Sequence, residues 1–367
     1  MQFSIQREVL LKPLQRVIGV VERRQTLPVL SNLLVAVTPE RVTLTGTDLE
    51  VEMSASAAVQ GAQAGEATIP ARKLFDICRA LPDGSKLQFK MSGDRVTMTS
   101  GRSRFTLATL PAAEFPVIDN IELVERVSLP EGTLKELMER TAFAMANQDV
   151  RYYLNGLLLD LREKTLRCVA TDGHRLAMAE TELSAGGATA PRQIIIPRKG
   201  VLELQGLFES GEGNVDIEFG RNHLRVRRDE VVFTSKLIDG RFPDYEAVIP
   251  IGADKEVRIE RESLRGALQR AAILSNEKYR GVKLEVSQNK LRIVAHNPEQ
   301  EEAVEELEAK TGTNELSVGF NVNYLLDALN ALAGDEVLLC LRDANSSCLL
   351  RAPANERSRH VIMPLRL

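Results

Sequence analysis

No stretch of these 367 residues comes near the roughly 20 consecutive apolar side chains that a membrane-spanning helix requires. The opening residues, Met1-Gln2-Phe3-Ser4-Ile5-Gln6-Arg7, lack the basic-then-apolar order of a secretory signal, so the expected location is the cytoplasm. Cysteine is scarce: Cys78, Cys168, Cys340 and Cys348 are scattered, with no CxxC pair among them. That argues against a disulfide framework or a zinc knuckle and fits a reducing compartment. Histidine is as rare, and His174, His223, His296 and His360 stand at no metal-ligand spacing, so neither a metal nor a cofactor is expected. A P-loop, a GxSxG elbow, an HExxH motif and a GxGxxG turn after a strand are all missing. Only Thr171-Asp172-Gly173-His174-Arg175-Leu176 invites a catalytic reading, as a hydrolase in which Asp172 orients His174 as general base. The string offers no nucleophile, and Asp and Asn favour turns for their own backbone hydrogen bonds. The chain therefore reads as a non-enzyme.

What the sequence does have is one layout written three times: strand, amphipathic helix, hairpin, second helix, more strands. Hydrophobic residues make up 44% of the chain, enough for a core in each copy. The first helix occurs around Arg7–Arg16, Glu131–Arg140 and Arg261–Arg270, with Leu10, Leu134 and Leu264 in register. A hairpin follows each time, ending in Thr47-Asp48, Thr171-Asp172 and His296-Asn297. Second helices open at Pro70-Ala71-Arg72-Lys73, Pro197-Arg198-Lys199-Gly200 and Asn321-Val322-Asn323-Tyr324. Phe105-Thr106 before Phe115-Pro116 echoes Phe233-Thr234 before Phe242-Pro243. The expected modules are 1–125, 126–249 and 250–367.

The formal net charge of -4 leans against nucleic acid until its placement is considered. The six expected helices, taken as 7–24, 71–79, 131–151, 197–205, 261–280 and 321–335, together carry +6, which leaves -10 for the rest of the chain. Basic helices on an acidic body would give a positive stripe suited to a phosphate backbone, if the helices share one surface. The competing explanation is that Lys and Arg simply suit exposed helix faces. The acidic run Glu299, Glu301, Glu302, Glu305, Glu306 and Glu308 has two readings as well. It is a solvated edge, or it pairs with a basic patch on another subunit.

Long strings then carry a family resemblance along the whole chain. Gln148-Asp149-Val150-Arg151-Tyr152-Tyr153-Leu154-Asn155-Gly156, Thr171–Leu176, Asp239-Gly240-Arg241-Phe242-Pro243-Asp244-Tyr245, Ile273–Gly281 and the tail Val361-Ile362-Met363-Pro364-Leu365-Arg366-Leu367 resemble the bacterial DNA polymerase III beta subunit, the sliding clamp. The family tail often reads Met-Pro-Met-Arg-Leu; Leu365 here is an apolar replacement of similar volume.

The resemblance implies an α+β fold of three tandem clamp modules, each with two helices packed on antiparallel sheets. It also implies a head-to-tail homodimer that closes into a six-module ring on double-stranded DNA. By resemblance, DNA contacts fall to Arg24, Arg72, Gln148, Tyr152, Tyr153 and Lys199. The two tyrosines either stack on exposed bases or are partly buried. One end of the dimer interface is implied around Lys73, Ile77, Arg104, Phe105 and Leu107. The other lies around Ile273 and Leu274, with Glu301 and Glu305; from the residues alone Ile77 would be ordinary core. A pocket for partner peptides is implied at Leu154, Thr171, Gly173, His174, Arg175, Leu176, Pro243 and Val248. Its remaining members are Asn321, Tyr324, Ser347, Val361, Met363, Pro364, Leu365 and Arg366. Core or inter-module packing is the alternative for its apolar members. Implied partners are the replicative polymerase catalytic subunit, the clamp loader complex, repair polymerases and mismatch-repair proteins. A monomeric DNA-binding scaffold is the rival reading.

Overall fold

The computed structural model describes every residue except 23–26, 119–120, 185–189, 209–212, 314 and 367. The first third runs β1 (Gln2–Gln6), α1 (Arg7–Val17), β2 (Asn32–Val37), β3 (Arg41–Thr47), β4 (Val51–Ala58) and β5 (Gly65–Pro70), then α2 (Ala71–Ala80), β6 (Lys86–Ser92), β7 (Arg95–Ser100) and β8 (Ser103–Ala108). The middle runs β9 (Leu123–Pro130), α3 (Glu131–Glu139), β10 (Gly156–Leu161), β11 (Thr165–Thr171), β12 (Arg175–Glu182) and β13 (Arg192–Pro197), then α4 (Arg198–Leu207), β14 (Asn214–Gly220), β15 (His223–Arg228) and β16 (Val231–Lys236). The last runs β17 (Lys255–Glu260), α5 (Arg261–Ile273), β18 (Gly281–Ser287), β19 (Lys290–His296), β20 (Glu302–Glu308) and β21 (Glu315–Asn321), then α6 (Val322–Ala331), β22 (Glu336–Leu341), β23 (Cys348–Ala352) and β24 (Asn355–Ile362). The order strand, helix, four strands, helix, three strands thus recurs in each third.

The chain divides into two compact units, Met1–Gly132 with Leu202–Leu237 and Thr133–Val201 with Ile238–Leu367. The first unit holds a four-stranded sheet, β1-β6-β7-β8, and an eight-stranded one, β5-β2-β3-β4-β16-β15-β14-β9. The second holds β20-β19-β18-β21 and β13-β10-β11-β12-β24-β23-β22-β17. Each eight-stranded sheet is two four-stranded halves from successive thirds, joined antiparallel through β4 and β16 or through β12 and β24. Strand alternation supplies the cores: Leu284, Val286, Leu291 and Ile293 are buried under α5 and α6.

Helices α1 to α6 begin within a residue of where the apolar spacing places them, but α1, α3, α5 and α6 stop earlier. On α1 the buried side chains Leu10, Leu14 and Val17 fall at helical spacing, and on α5 so do Leu264, Ala267, Leu268 and Ala271. The Glu260 carboxylate caps α5 by accepting from Glu262 N and Ser263 N, and Asn321 caps α6 by accepting from Asn323 N. Helices to 24, 151, 280 and 335 are corrected to ends at Val17, Glu139, Ile273 and Ala331. Past α1, Val20 and Val21 remain buried, and past α3 so do Ala142, Ala144, Met145 and Ala146. Apolar spacing therefore continues after the helix has ended. Beyond α3 the Thr141 hydroxyl donates to Leu137 O at 2.7 Å, a local bond that competes with the helical ladder.

Part of the helix charge closes helix ends and so is withdrawn from any DNA-facing surface. Arg7 is buried and donates to Cys78 O and Arg79 O at the end of α2, at 2.7 and 3.1 Å. Arg261 does the same for α6 through Leu329 O and Gly334 O, at 3.2 and 2.8 Å. In the middle copy the equivalent residue is acidic: Glu131 pairs at 2.5 Å with Arg228, and Arg228 donates to Leu207 O at the end of α4. A cation at the unsatisfied carbonyls of a helix terminus is favourable, and the middle copy supplies it from another strand.

Candidate functional site

The seam between β12 and β24 carries the richest side-chain constellation of the second unit. Its entry is a turn built like the one before β4. Thr47 Oγ1 donates to Val51 O, and Asp48 Oδ1 accepts from Glu50 N and Val51 N. Likewise Thr171 Oγ1 donates to Arg175 O at 2.6 Å, and Asp172 Oδ1 accepts from His174 N and Arg175 N at 2.9 and 3.1 Å. The Asp172 carboxylate is thus spent on the turn and, through Oδ2, on Arg175 Nε at 3.1 Å, which answers the hydrolase reading in structural terms. The third residue of the turn has positive φ in both: +79° at Leu49 and +88° at Gly173. Glycine adopts that region without strain, whereas leucine does not.

Arg175 is the hub of the site. Its guanidinium lies 4.5 Å from the Tyr324 ring centroid and 5.3 Å from that of Phe143. It pairs with Asp327 of α6 at 2.5 Å and donates to Phe143 O at 2.9 Å. Neither Phe143 nor Asp327 was singled out from the sequence; Asp327 lies 152 residues from Arg175, and only its position as the one acid of α6 hinted at it. Beyond β24 the tail straps back: Met363 N donates to His174 O at 3.0 Å and Leu365 N to Gly319 O at 2.8 Å.

Of the implied pocket residues, Leu176 and Val361 sit opposite each other on the ladder and are buried in one cluster with Leu158, Val169, Met178, Phe242 and Tyr245. Val248 and Tyr153 pack against that cluster from its edge. Leu154 and Thr171 are buried, Gly173, Arg175, Asn321, Tyr324 and Ser347 half-buried, and His174, Pro243 and Met363 exposed. Pro364, Leu365 and Arg366 line a separate cleft of about 1090 Å³ with Tyr279, Lys283 and His296, so the tail has two different neighbourhoods.

The residues implied for DNA fall in both units. Arg72 donates to Val21 O at 2.9 Å from the first turn of α2; Arg24 lies outside the described residues. Lys12, Gln15 and Arg16 of α1 line a cleft with Glu203 of α4. In the second unit Gln148 has φ +57°, Lys199 sits half-buried in the first turn of α4, and the two tyrosines differ. Tyr152 is 56% exposed, whereas Tyr153 is half-buried in an edge-on contact with it at 5.7 Å.

The residues implied for an interface lie on two outer strands and their neighbouring helices. On β8, Arg104 is exposed, Phe105 half-buried and Leu107 buried; on α2, Lys73 is exposed and Ile77 half-buried. In the second unit Ile273 is 76% exposed, a large apolar surface at the end of α5, and Leu274 follows it half-buried. On and beside β20, Glu301 accepts from Asn297 Nδ2 at 2.6 Å, and Glu305 pairs with Arg270 at 2.7 Å, which lowers the Glu305 carboxyl below its ordinary pKa.

Three family models cover nearly the whole chain: the N-terminal domain of the DNA polymerase III beta subunit over residues 1–119, the central domain over 128–244 and the C-terminal domain over 246–366. The chain belongs to the DNA polymerase III beta subunit family. The beta sliding clamp of Pseudomonas putida is 52% identical and that of Escherichia coli 48%, each over 100% of both chains. A solved clamp from Pseudomonas aeruginosa, bound to griselimycin, is 50% identical and superposes with a TM-score of 0.97 over 100% of both chains. That of Caulobacter crescentus is 38% identical with a TM-score of 0.95, again over 100% of both. The family is a processivity subunit of DNA polymerase III, not a catalytic one. The three-module α+β fold read from the sequence is thereby borne out. No helix of the described residues is long and apolar enough to cross a membrane.

Proposed function

We propose that two copies of this chain close head to tail into a six-module ring that encircles duplex DNA, slides on it and tethers a polymerase. The observation that carries this reading is a pairing rule with one unused case. The third strand of the first half-sheet in one copy of the module pairs with the last strand of the next: β4 with β16, and β12 with β24. By position, β20 corresponds to β4 and β12, and β8 to β16 and β24. Both β8 and β20 are outer strands. An outer strand with unpaired main-chain groups is a template for another chain, and two different ends that fit one another generate a closed assembly. Continuing the register puts Phe105 opposite Ala303 and Arg104 opposite Val304 of a second copy. Basic Arg104 and Lys73 then approach the acids of β20, and Ile273 and Leu274 lose their exposure.

The module boundaries we propose are 1–125, 126–249 and 250–367. Arg24, Arg72, Gln148, Tyr152, Tyr153 and Lys199 touch phosphates or bases loosely, because firm or base-specific contacts would stop sliding. Tyr152, the more exposed ring, is the better placed to stack on a base. Partner peptides occupy the pocket along Leu176, Val361, Val248, Tyr324 and Met363, and we assign to the same pocket griselimycin, which the P. aeruginosa relative binds. Its users are the replicative polymerase, the clamp loader, repair polymerases and mismatch-repair proteins in the cytoplasm. A closed ring is held by topology, so protein loaded on nicked circular DNA survives high salt and leaves after linearisation. Equal salt sensitivity on circular and linear DNA would overturn the ring.

A further inference from the structure

One face of the second unit's eight-stranded sheet carries a polar rung beside apolar ones. Gln193, Asp160, Arg167 and Glu180 are directly paired across β13, β10, β11 and β12. Two residues along, the equivalent rung is Ile195, Leu158, Val169 and Met178, all buried in one cluster. The connector after Ile238 packs into that cluster through Phe242, Tyr245, Val248 and Ile249. Tyr245 reaches the polar rung. Its hydroxyl donates to Asp160 Oδ2 at 2.5 Å and accepts from Arg162 and Arg167 at 3.1 Å each. Glu246 is bound by the same two arginines, at 3.1 Å from Arg162 and 2.6 Å from Arg167.

Asp160 is fully buried, and its Oδ1 has no hydrogen-bond partner among the described residues. Burial pushes its carboxyl up, but bonds from Arg162, Tyr245 and Gln193 outweigh that and keep it below the ordinary carboxylate range. A buried carboxylate with one bare oxygen is a poor way to gain stability, since an apolar rung of similar volume serves as well or better. The rung calls for another role.

We propose that the Asp160–Tyr245 hydrogen bond, braced by Arg162 and Arg167, positions the connector so that Val248 forms a fixed wall of the partner-peptide pocket. Tyr245 heads the single turn Glu246–Val248, and Val248 N donates back to Tyr245 O at 3.2 Å. The side chains of Tyr245 and Glu246 therefore fix the turn at its start, and the main chain carries that constraint to Val248. Without the hydroxyl, the connector loses its only bond to buried Asp160 and is held by apolar contact and the more exposed Glu246 ion pairs, so a shape-complementary wall becomes a more mobile one. This rests on the pocket reading above.

The test is Tyr245→Phe, which keeps the ring and removes the hydroxyl. Griselimycin affinity is expected to fall about tenfold, mostly through faster release, and amide exchange at Val248 to accelerate. Native dimer mass and salt-resistant retention on circular DNA stay unchanged. Wild-type affinity and wild-type Val248 exchange in this variant would overturn the proposal. Should it fail to fold, Arg162→Gln removes one brace from a partly exposed side chain, and an effect of the same sign, about threefold, is expected; no change in either readout overturns the proposal there too. A wild-type protein that binds no griselimycin would sink the pocket, while faster Val248 exchange in Tyr245→Phe would still support the positioning bond.

Discussion

At the seam of the first unit β4 lies against β16 with Met53 opposite Phe233; at the seam of the second, β12 lies against β24 with Ala177 opposite His360. The two share strand order, register and an entry turn held by Thr and Asp side chains. They differ in what has been added. The second has glycine where the turn needs positive φ, Arg175 clasped by two aromatic rings and two carboxylates, a buried histidine where the first has phenylalanine, and a tail that straps across its end. One repeated joint can thus be plain scaffold in one place and a candidate recognition site in another, and the departures from the repeat mark which is which.

Removing Met363–Leu367 takes away the feature that most separates the two seams. Griselimycin binding should fall at least ~100-fold by calorimetry, a loss on the order of 3 kcal/mol, while sedimentation still shows a dimer. Retained affinity would return the second seam to plain scaffold.

His360 gives the seams different responses to acid. Burial, then the nearby Arg140 charge, push its imidazole down from 6.5 to about 3. The folded state thus keeps the ring neutral while the unfolded chain takes up a proton near pH 6.5. Stability is complete above that value and is lost as pH falls toward 3, at most on the order of 5 kcal/mol. His360→Phe copies Phe233 of the other seam and should flatten that acid limb in urea titrations at pH 7, 5 and 4. An unchanged slope would show that other groups govern it.

Arg175→Ala leaves Asp327 and Asp172 without their cation and frees Tyr324. We expect about 2–3 kcal/mol of lost stability, discounted for the partial exposure of Asp327, and weaker griselimycin binding. The corresponding change at the first seam, Val51→Ala, should leave binding untouched. The smallest effects are at the turns. Gly173→Ala should cost about 1 kcal/mol, because the backbone there has φ +88° and the added carbon meets the Arg151 guanidinium at 2.8 Å. Leu49→Gly should be neutral or gain up to about 1 kcal/mol, because it relieves a leucine at φ +79°. Equal and same-signed effects would deny that the turns are equivalent.

Much of this architecture is legible in the sequence. Helix starts at Arg7, Glu131 and Arg261 followed from apolar spacing, and the hairpin ends at Asp48, Asp172 and Asn297 from their register. Helix ends were not legible, because Val20, Val21 and Ala142–Ala146 keep apolar spacing while packing as turns, a short 3-10 turn at Ala142–Ala144 among them, outside the α-helices. The charge count identified basic helices but could not see that Arg7 and Arg261 are committed to helix termini, since a sum carries no partners. The Arg175 clasp was also out of reach: Phe143 and Asp327 become its neighbours only through tertiary folding. Asp160 and Tyr245 lie 85 residues apart, with no spacing rule to connect them.

The claim that β8 and β20 complete the pairing rule between copies can be tested with one covalent bond. All four native cysteines are buried, so Arg104→Cys with Val304→Cys introduces the only accessible pair. Directly opposed strand residues lie about 4.5–5.5 Å apart at Cα, within reach of a disulfide. Oxidised after loading on nicked circular DNA, this variant should stay on the DNA in denaturing detergent and be released by linearisation or by reduction. Release in detergent from intact circles, despite complete oxidation between copies, would contradict the closed ring.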